Sequence, residues 1–163
     1  MPRLAIFTFG NLQGEQGDDH PGAKEFWEAA PGVFHAMASS PGYVSGPHDS
    51  PEPDAWGAYV VPEFGDGREA QTLSLWEGLD SLHAAAYHGD HLGALKKRKE
   101  WFKDAEHPSH VLWWVDDEHT PTWQEACERH RELHENGPTA SAFNFRQPYG
   151  SDGVPTRVER PDA

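Results

Sequence analysis

The chain has 163 residues, of which 36% are hydrophobic and 12% aromatic, enough for one domain with an aromatic-rich core. Thirteen Lys and Arg residues stand against 27 Asp and Glu residues, so the formal net charge is −14. Such an acidic surface repels nucleic acids and anionic membranes, so neither is expected as a partner. The single cysteine, Cys127, excludes an intramolecular disulfide and a cysteine-based zinc cluster.

The N-terminal segment does not have the pattern of a secretory signal. Its apolar run at residues 4–9 is too short, and no stretch of the chain approaches membrane-spanning length. We therefore expect a cytoplasmic protein.

The chain alternates between strand and helix patterns. Six runs have the apolar, β-branched or aromatic composition of strands: residues 4–9, 41–46, 56–64, 71–76, 110–116 and 141–146. Three regions have helical periodicity: residues 23–38, 76–102 and about 120–136. In the first helix, Pro31 and Gly32 are expected to produce a kink or a split. In the last, Thr120 and Pro121 fit the N-terminal positions, and Gly137 follows the end.

This order predicts an α+β fold of the ferredoxin-like type, a split βαβ sheet with helices on one face and an extra C-terminal helix and strand. The strands at 4–9 and 110–116 are apolar on both faces, so the second face of the sheet must also be buried. Sheet-to-sheet dimerisation would bury it and close a dimeric α/β barrel around a cavity. The domain is expected to span residues 1–147, with a flexible C-terminal tail at 148–163.

The central region, WEGLDSLHAAAYHGDHLGALKKRKEWF, contains three histidines: His83, His88 and His91. Gly89 and Asp90 are expected to divide it into two helices, which places His91 in a first helical turn. An imidazole there tends to be neutral, because the helix dipole disfavours a positive charge. A neutral imidazole can be a base or a ligand, whereas the alternative is that these histidines only cap helices and pack under loops.

Other polar residues offer weaker patterns. Arg98 in the basic segment KKRKEWF could meet a carboxylate or phosphate, or simply lie on a solvated helix face. Asn144 lies between two aromatic residues and is expected to face a cavity or an edge of the sheet. The run DDEH at 116–119 combines carboxylates with a histidine, but a strand-end turn before a helix explains it equally well. His130 and His134 are predicted to lie on a solvated helix face, so no metal site is expected.

Several longer motifs carry a family resemblance: RLAIFTFG, TLSLWEGLDSLHAAAYHGDH, ALKKRKEWF and HVLWWVDDEHTPTWQEACERHRELHENGPTASAFNF. From Leu4 to about Gln147 the chain resembles a small bacterial family of uncharacterised proteins in the dimeric α/β-barrel superfamily. The wider relatives of that family include antibiotic-biosynthesis monooxygenases, haem-degrading monooxygenases, cyclases, dehydratases and stress-response barrels. The resemblance thus implies a homodimer and a small-molecule substrate of the kind found in secondary metabolism.

Residues and resemblance together favour an enzyme that oxidises, rearranges or cyclises an aromatic or polyketide-like molecule without a cofactor. His91 would be its acid or base, and Arg98 and Asn144 would make polar contacts. The substrate would lie among six aromatic side chains: Phe7, Phe9, Trp76, Tyr87, Trp113 and Trp114. One alternative is a haem protein with His91 as the axial ligand. Another is a non-catalytic ligand-binding or stress-response dimer.

Overall fold

The structure is a computed structural model that describes residues 1–14, 20–87 and 97–158. The described helices and strands, in chain order, are β1 (Arg3–Asn11), α1 (Pro21–Ala38), β2 (Tyr43–Ser45), a 3-10 turn (Pro53–Trp56), β3 (Glu69–Trp76), α2 (Leu79–Tyr87), α3 (Arg98–Trp101), β4 (His110–Val115) and α4 (Trp123–Asn136). The chain is therefore a mixed α+β protein, as its sequence predicts.

The four strands form one antiparallel sheet in the order β2-β3-β1-β4. β1 occupies an interior position because it is apolar on both faces, and Ile6 pairs with Ser74 on one side and with Leu112 on the other. The sheet is open and does not close into a barrel.

Each face of the sheet has its own hydrophobic core. On the face that we call the α4 face, Phe7 and its neighbours pack under α4 and under Val60 and Phe64. On the opposite α2 face, Ile6 and Leu112 pack under α2. Because side chains alternate along a strand, adjacent residues of β1 serve different cores.

The prediction of helices on one face only is wrong for this chain. The second apolar face is real, but α4 from the same chain covers it, with Ala126 and Leu133 in contact with the sheet. The second face of the sheet, which was predicted to be buried by a partner subunit, is therefore buried by a helix of the same protomer.

Two predicted strands are absent from the described structure. Residues 56–64 contain the end of the 3-10 turn and then an irregular segment, in which Pro62 has no N–H to donate to a ladder. Residues 141–146 make only isolated bridges: Phe143 exchanges two backbone hydrogen bonds with Leu112 of β4, and Ala142 exchanges two with Thr139.

The helices differ from their predictions mainly at the ends. α1 remains one 18-residue helix through Pro31, so the predicted split does not occur. α4 begins after Thr122, whose hydroxyl accepts the Glu125 N–H at 3.1 Å, two residues later than the predicted cap. It ends at Gly137, whose φ of 73° lies in the left-handed region that favours glycine. The expected break at Gly89 and Asp90 lies outside the described residues.

Part of the predicted tail contacts the sheet. The indole Nε1–H of Trp114 donates to the carbonyl oxygen of Tyr149 at 2.8 Å, and Val158 packs on the α2-face core. The domain boundary at residue 147 and the flexibility of the tail stay predictions.

Candidate functional site

The six aromatic residues predicted to line one cavity lie on both faces of the sheet. Phe7, Phe9 and Trp113 belong to the core under α4, and each is at most 3% exposed. Trp76, Trp114 and Tyr87 lie on the side of α2. The sheet separates the two groups, so they cannot contact a single small ligand together.

The predicted polar residues are also dispersed. Arg98 is exposed on α3, and the side-chain oxygen of half-buried Asn144 accepts the Gln147 N–H at 2.9 Å, which closes a local turn. His88 and His91 lie outside the described residues. Their predicted roles, including His91 as base or as haem ligand, stay predictions.

A cavity of about 160 Å³ lies between α4 and the segment at residues 60–64. Its walls combine apolar and polar side chains, among them Val60, Phe64, Cys127 and His130. The Cys127 thiol donates to the Val60 carbonyl oxygen at 3.6 Å, which ties the segment to the helix. Burial raises the pKa of Cys127 to about 11, so the thiol stays protonated and is a poor nucleophile.

His130 is the polar side chain that distinguishes this cavity. It is 0% exposed, although it is a histidine on a helix rich in Glu and Arg. Its Nε2 lies 2.7 Å from the Pro108 carbonyl oxygen, and a carbonyl can only accept, so Nε2 carries the proton. Its Nδ1 is then an acceptor, and it has no hydrogen-bond partner within the described part of the chain.

His107 repeats this arrangement beside it. Its Nδ1 donates to the same Pro108 oxygen at 3.0 Å, which leaves Nε2 as a buried acceptor without a partner in the described ranges. The two ring centroids are 5.7 Å apart. One backbone carbonyl therefore fixes the tautomers of two imidazoles and leaves both with an unused lone pair.

Aromatic rings surround the two imidazoles. The Phe9 centroid lies 4.8 Å from that of His107 and 5.6 Å from that of His130, and the Phe64 centroid lies 5.2 and 5.5 Å from the same two rings. Phe7 adds an edge contact with His130 at 5.7 Å. Two residues predicted from the sequence to bind substrate, Phe7 and Phe9, thus do adjoin a polar group, although that group is not His91.

The surroundings keep His130 neutral. Burial lowers its pKa below the usual value, and the neighbouring His107 and His134 lower it further, against the opposing effect of the Pro108 hydrogen bond. At neutral pH the ring is therefore an uncharged acceptor. A buried acceptor without a partner is unfavourable by about 1–3 kcal/mol, so its retention calls for a functional explanation.

The prediction that His130 lies on a solvated helix face is wrong, because the side chain is fully buried. The signal that identifies it is its position in the stripe Trp123, Ala126, Cys127, His130 and Leu133, all of them buried. The stripe is weak in sequence because two of its members are small and the rest of the helix is charged.

A third histidine, His110, is half-buried on the α2 face. The Phe145 N–H points at its Nε2 from 3.4 Å, and its Nδ1 lies 3.0 Å from the Ser109 hydroxyl. Burial lowers its pKa to about 4, and the positive charge of Arg98 contributes. Both of its nitrogens have partners, and the ring stacks on Phe145, so its contacts account for it structurally.

The acidic turn at residues 116–119 borders an open cleft of about 500 Å³ together with Met1 and Pro2. Asp117 pairs with the N-terminal amine at 3.0 Å, and this hydrogen bond lowers the pKa of its carboxyl. His119 lies 2.9 Å from Glu125. Among the described residues there is no group of three or more His, Cys, Asp or Glu side chains that could hold a metal ion.

Within residues 1–14, 20–87 and 97–158, none of the helices has both the length and the apolar character required to span a bilayer. No curated protein and no solved structure shows significant similarity to the chain. One family model does match it, over residues 3–159, and that family is described as a domain of unknown function (DUF3291). Because the match covers nearly the whole chain, the protein belongs to the DUF3291 family.

Proposed function

We propose that this protein binds a small organic molecule between α4 and the 60–64 segment and acts on it by proton transfer to His130. The observation that carries the proposal is the unpartnered Nδ1 of a fully buried histidine that lines a cavity. Nε1 of Trp56 and Nε2 of His107 are also buried without a partner in the described ranges, and His130 differs from them in lining the cavity.

The chemistry follows from the fixed tautomer. With Nε2–H held by Pro108, Nδ1 can take a proton without ring rotation, and the same carbonyl oxygen stabilises the resulting imidazolium. The phenylalanine rings around it exclude water, which raises the reactivity of a substrate anion formed there. A cofactor-free oxygenase or an isomerase requires a base that is shielded from water in this way.

The reaction class remains the one that the sequence favours, oxidation, rearrangement or cyclisation of an aromatic or polyketide-like molecule. Its support is the resemblance to the superfamily that contains antibiotic-biosynthesis monooxygenases, which is a fold-level analogy. The main rival is a non-catalytic ligand-binding protein, in which the same lone pair would receive a hydrogen bond but no proton.

The finer points of architecture are also proposals. The element order and the strand order β2-β3-β1-β4 support a ferredoxin-like sheet, to which α4 is added on the second face. The predicted homodimer would need an interface other than sheet-to-sheet contact, because α4 occupies that face.

A proton-transfer assay tests this proposal. The protein is incubated in D2O at pH 7.5 with acetophenone, and exchange of the methyl hydrogens is followed by proton NMR. We expect the wild-type protein to accelerate exchange and His130→Leu to abolish the acceleration. His35→Leu is the matched control, because His35 is an exposed histidine on α1 and does not line the cavity.

Exchange that persists in His130→Leu would contradict the role of His130 as base. No acceleration by the wild-type protein would contradict catalysis and favour the ligand-binding alternative.

A further inference from the structure

The cavity beside His130 matches the size of one aromatic ring. Its volume is about 160 Å³, and a protein cavity of roughly 150 Å³ with an apolar lining accepts benzene. Val60 and Phe64 supply apolar walls. A bicyclic or larger ligand would require the 60–64 segment to move away from α4.

The polar side chains of the lining restrict which substituents a bound aromatic ring can have. His130 lines the cavity, and its unpartnered Nδ1 is a lone-pair acceptor with less than 1 Å² of accessible surface. A ligand that moves the neighbouring side chains aside to reach Nδ1 must therefore present a hydrogen-bond donor to it. The charged residues of the lining are Glu63, Glu128 and Arg131, and their net charge is −1. This negative charge and the lone pair of Nδ1 both repel an anionic ligand. An ammonium group could donate, but burial of an ion is far less favourable than burial of a hydroxyl.

These observations point to a neutral aromatic hydroxyl compound. We propose, on the basis of the proposed small-molecule site, that its ligand is a single-ring phenol whose hydroxyl donates to Nδ1 of His130.

The test compares four probes of similar size: phenol, benzene, benzoate and benzylamine. Each is titrated into the wild-type protein, and dissociation constants are measured from backbone amide shifts of Phe64 and Cys127. We expect phenol to bind about two- to tenfold more tightly than benzene, the ratio that one neutral hydrogen bond supplies. Benzoate and benzylamine should bind more weakly than phenol. In His130→Leu the phenol-to-benzene ratio should fall to about one, and in His35→Leu, on the exposed surface of α1, it should be unchanged.

Equal binding of phenol and benzene by the wild-type protein overturns the inference, and this comparison does not depend on the folding of any variant. Tighter binding of either ion, binding of none of the probes, or a ratio that survives His130→Leu also overturns it. Acetophenone exchange through His130 together with equal phenol and benzene binding would reject the ligand class and retain the proposed function. Loss of both results would reject both.

Discussion

Replacement of His130 by leucine should change binding without a matching loss of stability. Leucine is similar in volume to the imidazole and has no polar atoms, so it removes the buried acceptor and fills the same space. The Pro108 carbonyl oxygen keeps the hydrogen bond from His107, so the variant leaves no new unpaired group in the core.

The gains and the costs partly offset each other. Loss of the Nε2–H hydrogen bond costs about 1 kcal/mol, and removal of an unpartnered buried nitrogen returns about 1–3 kcal/mol. Loss of the ring contacts with Phe7, Phe9 and Phe64 costs about 0.5–1.5 kcal/mol each, part of which leucine restores by filling the same space. We therefore expect the free energy of unfolding to fall by up to about 2 kcal/mol.

Urea unfolding at pH 7.5, followed by tryptophan fluorescence, measures this change. Leu133→Ala on the same helix is the control, and it should lose about 2–5 kcal/mol, because Leu133 is only 4% exposed. A loss of more than about 2 kcal/mol in His130→Leu would show that the histidine supports the fold, and the functional explanation of its burial would fail.

Three further predictions concern the scaffold. Acidification from pH 7 to pH 5 should lower the free energy of unfolding by about 2 kcal/mol through His110. The reason is that His110 takes up a proton near pH 6.5 in the unfolded chain but only near pH 4 in the folded state. The variant His110→Phe should lose this part of the pH dependence of stability. Gly22→Ala should destabilise the protein by about 1–3 kcal/mol, because the added Cβ would clash with the Glu100 carbonyl oxygen. Gly32→Ala should stabilise it by up to about 1 kcal/mol, because Gly32 has open space around it and alanine favours a helix. Thr122→Ala should cost about 1 kcal/mol through loss of the α4 cap.

Urea unfolding tests all three. An equal pH slope in wild type and His110→Phe would reject the assignment to that histidine. Equal effects of alanine at positions 22 and 32 would contradict the close approach of α1 to α3. A Thr122→Ala variant as stable as wild type would mean that solvent replaces the capping hydroxyl.

The two most apolar strands could be predicted because a strand that is buried on both faces has a continuous run of apolar residues. Residues 4–9 and 110–116 are continuous apolar runs, and they became β1 and β4 with small changes at their ends. The 56–64 run has a similar composition but covers the sheet as an irregular segment. An apolar composition indicates that a segment is buried. It does not by itself distinguish a strand of the sheet from an irregular segment that packs over the sheet.

The topology of the second face could not be predicted because sequence shows that a face is buried and does not show by what. The apolar stripe of α4 contains Ala126 and Cys127, small residues that allow close approach to the sheet but contribute little to a periodicity signal. The weak periodicity of α4 is also the reason why the burial of His130 was not predicted. Its functional character depends on Pro108, 22 positions away, which no local pattern connects to it.

The most direct test of the central claim is the protonation state of the two ring nitrogens of His130, measured by nitrogen-15 NMR on the wild-type protein. We predict a protonated Nε2 and an unprotonated Nδ1 at pH 7, protonation of the ring only at a lower pH than an unburied histidine requires, and a shift of the Nδ1 signal when phenol is added. A protonated Nδ1, or an Nδ1 signal that phenol leaves unchanged, would contradict the claim.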